Sequence, residues 1–352
     1  MGIEKITLEG FIPLLKKYPV IDVRSEGEYN HAHIPNAYSV PLFNDEERKI
    51  VGTLYKQKSR EDAIKKGLEI FGPKMKGMID FAEEIIPKNN PSNKTVIVHC
   101  WRGGMRSAGV AWLFDLYGFK VYTLVGGYKA FRSWVLDVFQ IKFNFTILGG
   151  YTGSGKTIIL QELRQMNQPI VDLEGIAGHK GSAFGRIGLP MQASTEMFEN
   201  KLAIELIHIS TQYPNEPIWI EDESQRIGNV SIPHQLWETI RSSRIDFINI
   251  SFEERLNYLV DTYGKLDRNE LEEAITRIQK KLGGLEMKTA IEYLKINDMH
   301  GCFSILLKYY DKLYKKSLES REQLKTLLQN VDLENVNGKQ NAEILINRTN
   351  GQ

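Results

Sequence analysis

Along this chain, short runs of apolar and β-branched residues alternate with longer stretches in which apolar positions recur every three or four residues. That is the pattern of strands exchanging with amphipathic helices. Three such runs fall in the first part: Val20-Ile21-Asp22-Val23, Thr95-Val96-Ile97-Val98 and Lys120-Val121-Tyr122-Thr123-Leu124. Four more follow Gln140, at Phe143 to Leu148, Pro169 to Asp172, Ile218 to Glu221 and Ile245 to Ile250. From Ser251 to Leu318 the period is helical, and from Asn330 to Gln352 the chain turns polar and Asn-rich. Strands separated by helices predict α/β domains built on parallel sheets. One is expected over residues 1–138 and a second over 139–330 with a helical C-terminal part, leaving 331–352 as a polar tail that frays.

The chain has 352 residues, and its 45 Lys and Arg nearly cancel its 44 Asp and Glu, for a net charge of +1. A protein that wraps nucleic acid over its whole surface is strongly basic, so a nucleic-acid partner here has to be gripped by local patches. No apolar stretch reaches the ~18 residues that would span a bilayer, and Met1 to Lys17 builds no signal-peptide core. A soluble, cytoplasmic protein without a membrane partner is expected. Two cysteines, Cys100 and Cys302, are too few for a disulfide framework or a typical structural zinc site, so cysteine chemistry belongs to a single thiol. Cys302, beside an apolar helix, reads as a small core residue.

Cys100 reads differently. In Thr95 to Arg106, TVIVHCWRGGMR, an apolar strand delivers the cysteine to a loop whose Gly103 and Gly104 let backbone N–H groups turn inward before a helix opens at Ser107. Inward N–H groups, a helix N-terminus and the charges of Arg102 and Arg106 favour a thiolate and hold an anion beside it. The spacing His99-Cys100-x5-Arg106-Ser107 also fits the cysteine phosphatase signature, so the loop alone leaves two enzyme classes open. Upstream, Asp22-Val23-Arg24, Glu28-Tyr29, His33-Ile34-Pro35-Asn36-Ala37 and Val40-Pro41 resemble the rhodanese homology domain, and no Trp-Pro-Asp general-acid loop accompanies them. The resemblance implies chalcogen transfer through the loop cysteine. The loop is one residue longer than the usual rhodanese Cys-x4-Arg, a wider cradle that suits a tetrahedral donor or a larger chalcogen.

The second series opens on a complete G-x4-G-K-T, Gly150 to Thr157, between an apolar strand and a helical run. In such a P-loop the backbone of Gly153, Ser154, Gly155 and Lys156 holds a β-phosphate, with Gly150 opening the turn, and Lys156 neutralises its oxygens. Thr157 and Asp222, the latter just beyond the strand Ile218 to Glu221, are the expected ligands of a Mg²⁺ ion. The fold expected is therefore an N-terminal rhodanese-like α/β domain followed by a P-loop NTPase-like parallel-sheet domain.

Both loops in this order, together with Pro41 to Arg48, Val51 to Lys56, Gly126-Gly127-Tyr128-Lys129-Ala130, Glu221 to Ser224 and the run DLEGIAGHKGSAFG from Asp172 to Gly185, resemble the tRNA 2-selenouridine synthase family. The resemblance implies two steps at the wobble 2-thiouridine of a tRNA anticodon stem-loop: S-geranylation from geranyl diphosphate, then exchange of the geranylthio group for selenium from selenophosphate. It implies geranyl diphosphate on the P-loop without ATP hydrolysis, selenophosphate in the cradle of Arg102 to Arg106, and Cys100 as nucleophile or selenium carrier. His179, Lys180 and Arg186 are then candidates for contact with substrate phosphate or tRNA. ATP-dependent tRNA thiolation or general rhodanese-type sulfur transfer is the alternative. Tyr309, Tyr310 and Tyr314 are expected to pack on the P-loop domain while Lys312, Lys315 and Lys316 stay solvated.

Overall fold

The computed structural model describes residues 2–86, 94–182, 184–185 and 187–350. The chain divides into two compact units, Met1–Val138 and Phe139–Gln352.

In the first unit five strands form one wholly parallel sheet: β1 (Ile3–Ile6), β2 (Val20–Asp22), β3 (Tyr38–Ser39), β4 (Thr95–His99) and β5 (Lys120–Leu124), in the order β1-β5-β4-β2-β3. β4 is central and buried along its whole length, as expected of a parallel strand covered by helices on both faces. Its last residue therefore delivers Cys100 to the carboxyl edge of the sheet, where ligands of α/β folds bind. The helix Met105–Tyr117 follows at once and buries Val110, Ala111, Leu113 and Phe114.

The second unit repeats the design. Its strands are β6 (Phe145–Gly150), β7 (Ile170–Val171), β8 (Ile218–Glu221), a small antiparallel hairpin of β9 (Arg226–Ile227) and β10 (Val230–Ser231), β11 (Arg244–Asn249) and β12 (Leu328–Asp332). The main sheet runs β12-β11-β6-β8-β7, with every neighbouring pair parallel. β6 sits in the middle and opens into the P-loop, which leads into the helix Lys156–Gln165. Helices Phe252–Tyr263, Arg268–Arg277, Gly284–Lys295 and Met299–Glu319 make the helical part, with Cys302 inside its core.

The polar segment 331–352 is not a frayed tail. β12 pairs with β11 from Leu328 to Asp332, and the helix Gly338–Asn350 buries Ala342 and Leu345 against Ile159, Leu160 and Leu163 of the P-loop helix. Apolar positions three residues apart dock one helical face, and most of the polar remainder is exposed. Asn341, itself buried, donates to the Asn335 carbonyl at 2.9 Å and so is satisfied. Among the described residues, no helix is long and apolar enough to cross a membrane.

Candidate active sites: the thiol cradle and the phosphate loop

Cys100 is 3 % exposed. Its Sγ accepts from the Gly104 N–H at 3.3 Å and lies 3.3 Å from Ser107 Oγ, which is also 3.1 Å from the Gly104 carbonyl. One hydroxyl proton thus has two destinations, and a thiolate draws it to sulfur. Burial pushes the Cys100 thiol up, but the Ser107 hydroxyl and the N–H groups of Ser107, Gly104 and Arg102 outweigh it and hold the thiol below its ordinary value. Replacing Ser107 by Ala should move the thiolate transition to higher pH and cut the thiolate fraction at neutral pH about tenfold, the worth of one hydrogen bond to an anion. Ultraviolet absorbance of the thiolate against pH reads this, because burial pushes Cys302 up to about 12 and out of the window.

The Gly126-Gly127 turn braces the loop from behind. Gly127 has φ +57, and a Cβ there would stand 2.2 Å from the Cys100 carbonyl oxygen, so only glycine fits. The next two residues donate backbone N–H bonds to the carbonyls of Cys100 and Trp101, each at 2.9 Å. Below lies a buried strut: Arg24 makes a forked pair with Asp22, reaches the Ala32 carbonyl at 2.8 Å, and lies 3.8 Å from the Tyr128 ring centre. The Asp22-Val23-Arg24 motif therefore braces the cradle through Tyr128. Arg106 donates to Glu28 at 2.9 Å, and Arg48 pairs with the same carboxylate. Burial works against the Glu28 charge, but Arg106 and Arg48 prevail and hold it below the carboxylate range. Arg102 and the indole of Trp101 are exposed at the rim.

In the P-loop, Gly153 and Gly155 have φ +80 and +76 and are closely covered: a Cβ would meet the Arg255 carbonyl at 2.9 Å and Val336 at 2.6 Å respectively. Arg255 locks the turn by donating to the Thr152 carbonyl at 2.9 Å while forking onto Asp311. Ser154 is fully buried. Lys156 Nζ donates to the Gly150 carbonyl at 3.0 Å, and the Thr157 hydroxyl donates to Glu174 at 3.1 Å.

Asp222, expected beside Thr157, is committed elsewhere. It accepts from Tyr314 Oη at 2.6 Å and pairs with Arg321, while Tyr314 in turn accepts the Gly150 N–H at 3.1 Å. Burial, with Asp222 adding to it, raises the Tyr314 phenol well above its ordinary value and keeps it a neutral donor. The carboxylates grouped near Lys156 and Thr157 are instead those of Glu174, Glu221 and Glu223. Asp222 is thus not grouped with Thr157, whereas Glu221 and Glu223 on either side of it lie with Glu174. Sequence reasoning missed Glu174, Arg255, Asp311 and Arg321, whose partners are remote in the chain.

His179 is only 9 % exposed and sits against Gly185 and Gly228. Lys180 is exposed, with its ammonium 5.7 Å from the Tyr263 ring centre. Arg186 lies outside the described residues. Tyr309 and Tyr310 pack on the helical core and Tyr314 on the P-loop, while Lys312, Lys315 and Lys316 are exposed. Next to the P-loop residue Thr152, the side chains of Phe184, Leu259, Tyr263, Phe303, Leu306, Leu307 and Tyr310 line an apolar cavity of about 40 Å³, with Ser182 at its wall.

Residues 143–338 match the tRNA 2-selenouridine synthase AAA domain, and residues 12–133 match the rhodanese-like domain. The chain belongs to the tRNA 2-selenouridine synthase family. Relatives bearing the name tRNA 2-selenouridine synthase are similar over most of both chains. That of Sulfurovum sp. (strain NBC37-1) is 32 % identical over 87 % of this chain and 90 % of its own. That of Nitrosomonas eutropha is 30 % identical over 86 % and 89 %, and that of Hydrogenovibrio crunogenus 32 % over 88 % and 91 %. Membership in the tRNA 2-selenouridine synthase family removes the cysteine phosphatase reading of the Cys100 loop.

Proposed function

We propose that the protein converts wobble 2-thiouridine of tRNA to 2-selenouridine through an S-geranyl intermediate, with geranyl diphosphate bound at the P-loop and selenophosphate at the Cys100 cradle. The observation that carries the geranyl step is the apolar, aromatic cavity beside Thr152: a P-loop holds a diphosphate, and this one has a greasy wall next to it. The space of about 40 Å³ takes only a few waters, so a ten-carbon chain needs the apolar side chains around it to give way.

In the first step the 2-thiouridine sulfur attacks C1 of the geranyl group and the C–O bond breaks. Pyrophosphate leaves with the electron pair, and the uridine N3 proton is released. N–H dipoles of the P-loop and the Lys156 ammonium, held in place by the Gly150 carbonyl, stabilise the charge that grows on the leaving group. In the second step the Cys100 thiolate adds to C2 and the geranylthiolate departs. Selenium of selenophosphate, held by Arg102, Arg106 and the loop N–H groups, then displaces the cysteine sulfur, and water takes the phosphoryl group from selenium. Lys180 meets tRNA phosphate in this reading, and the exposed helix lysines do little.

The test is reconstitution. Purified protein, 2-thiouridine tRNA and geranyl diphosphate, with no nucleotide, should yield the geranylated wobble nucleoside by mass spectrometry, and adding selenophosphate should convert it to 2-selenouridine. Turnover with a persulfide donor and ATP, and none with selenophosphate, would replace this reading with thiolation.

A further inference from the structure

Two helices of the P-loop unit run antiparallel away from the phosphate loop, and their facing side chains form rungs. Nearest the loop, Arg255 of the helix Phe252–Tyr263 forks onto Asp311 of the helix Met299–Glu319 while it holds the Thr152 carbonyl. One turn on stand Leu259 and Leu307: Leu307 is fully buried, and a Cβ on Gly153 would come 3.0 Å from Leu259 Cγ. After one more turn Tyr263 and Phe303 meet, with ring centres 6.3 Å apart. Residues four apart share a helix face, so the rungs line up, polar at the P-loop, aliphatic in the middle and aromatic at the far end. From Arg255 to Tyr263, and from Asp311 back to Phe303, the distance along the helix is about 12 Å. The apolar cavity beside Thr152 follows this line, since both leucines and both rings line it. Behind the rings the cleft is shut by Met299 against Gly264, where a Cβ would stand 3.5 Å from Met299 Cγ. Burial, with Glu174 adding to it, pushes the Tyr263 phenol up to about 12, so the far rung carries no charge of its own.

We propose that the Tyr263–Phe303 pair is an end stop that limits the allylic chain of the P-loop diphosphate to two isoprene units. The proposal rests on the geranyl diphosphate reading and adds to it the residues that select chain length. Carbon–carbon bonds of about 1.5 Å at angles near 111° advance about 1.25 Å each, so the eight main-chain carbons of a geranyl group reach about 9 Å and stop short of the rings. Farnesyl adds four main-chain carbons, about 5 Å, and runs into them. Phe184 belongs to no helix or strand and leans on Phe303 and Tyr310, with ring centres 6.5 and 6.4 Å away, so it is the side chain that yields as the chain enters. The far rung is held by two helices and backed by Met299. A closed end rejects the longer chain by clash, which a groove open to solvent does not do.

The full chain and 2-thiouridine tRNA are supplied with dimethylallyl, geranyl and farnesyl diphosphates, each alone and in competition, and the alkylated wobble nucleosides are measured by mass spectrometry. Geranyl transfer should lead in the parent. Phe303→Ala should raise the farnesyl-to-geranyl ratio of kcat/KM at least about tenfold. Leu259→Phe, one rung nearer the loop, should shift the preference the other way, toward dimethylallyl. A fold that had merely loosened would not move the two variants in opposite directions. If Phe303→Ala does not fold, Phe303→Leu and Tyr263→Ala decide, with the same shift toward farnesyl expected. Geranyl transfer by the parent with unchanged ratios in the folded variants overturns the end stop and keeps the geranyl reading, and so does equal use of geranyl and farnesyl by the parent. No transfer from any of the three diphosphates removes the geranyl reading and the end stop with it.

Discussion

Cys100→Ser should halt the reaction half-way, so that 2-selenouridine falls below detection and geranylated tRNA accumulates. A serine hydroxyl fits the same cradle, since the Gly104 N–H and Ser107 Oγ that meet sulfur at 3.3 Å can meet oxygen as well. What disappears is the anion: a hydroxyl titrates far above any thiol, so the loop dipoles that favour a thiolate do not ionise it. The P-loop belongs to the other compact unit, so the geranyl step should keep its parental rate. Mass spectrometry of wobble nucleosides separates the two outcomes. Parental levels of 2-selenouridine from the serine variant would leave Cys100 without a covalent role.

Lys156→Ala should block the first step, by on the order of 10²-fold or more, because it removes the main charge that stabilises the leaving pyrophosphate. The ammonium is fixed between the Gly150 carbonyl and the face of Tyr314, whose ring centre is 5.7 Å away, so no other side chain substitutes for it. Leaving ATP out of the assay should change nothing. Single-turnover geranylation, with and without nucleotide, gives both results, and a strict need for ATP would mark the P-loop as a nucleotide site.

The buried strands were legible because parallel strands are apolar on both faces, and β4 and β6 carry both loops to the carboxyl edges of their sheets. The edges were not. β1 is largely exposed, and β12, Leu-Gln-Asn-Val-Asp, buries little beyond Val331, so neither stands out from polar surroundings. β1 finds its partner at Val121–Leu124, more than a hundred residues away, and β12 pairs with β11, 83 residues before it. Composition treats Glu221, Asp222 and Glu223 alike. The fold separates them: a tight turn closed by the Glu223 N–H on the Glu221 carbonyl at 3.0 Å follows β8, Glu221 and Glu223 lie with Glu174, and Asp222 meets Tyr314 and Arg321. The cradle was more legible because Cys100, Gly104 and Ser107 are local to one loop. Its brace at Gly127 and the Arg106–Glu28 pair needed the folded chain.

The docking of β12 and the helix Gly338–Asn350 on the P-loop helix sets an order for protein synthesis. The first unit holds all five of its strands by residue 124 and can close while the ribosome is still translating the second. The P-loop cannot: Val336 covers Gly155, and Leu345 backs the helix that the loop opens. Until those residues emerge, the nascent chain carries a finished thiol cradle and an unsupported phosphate loop. Early termination anywhere between them would release a polypeptide with a folded thiol cradle and a phosphate loop that lacks its cover.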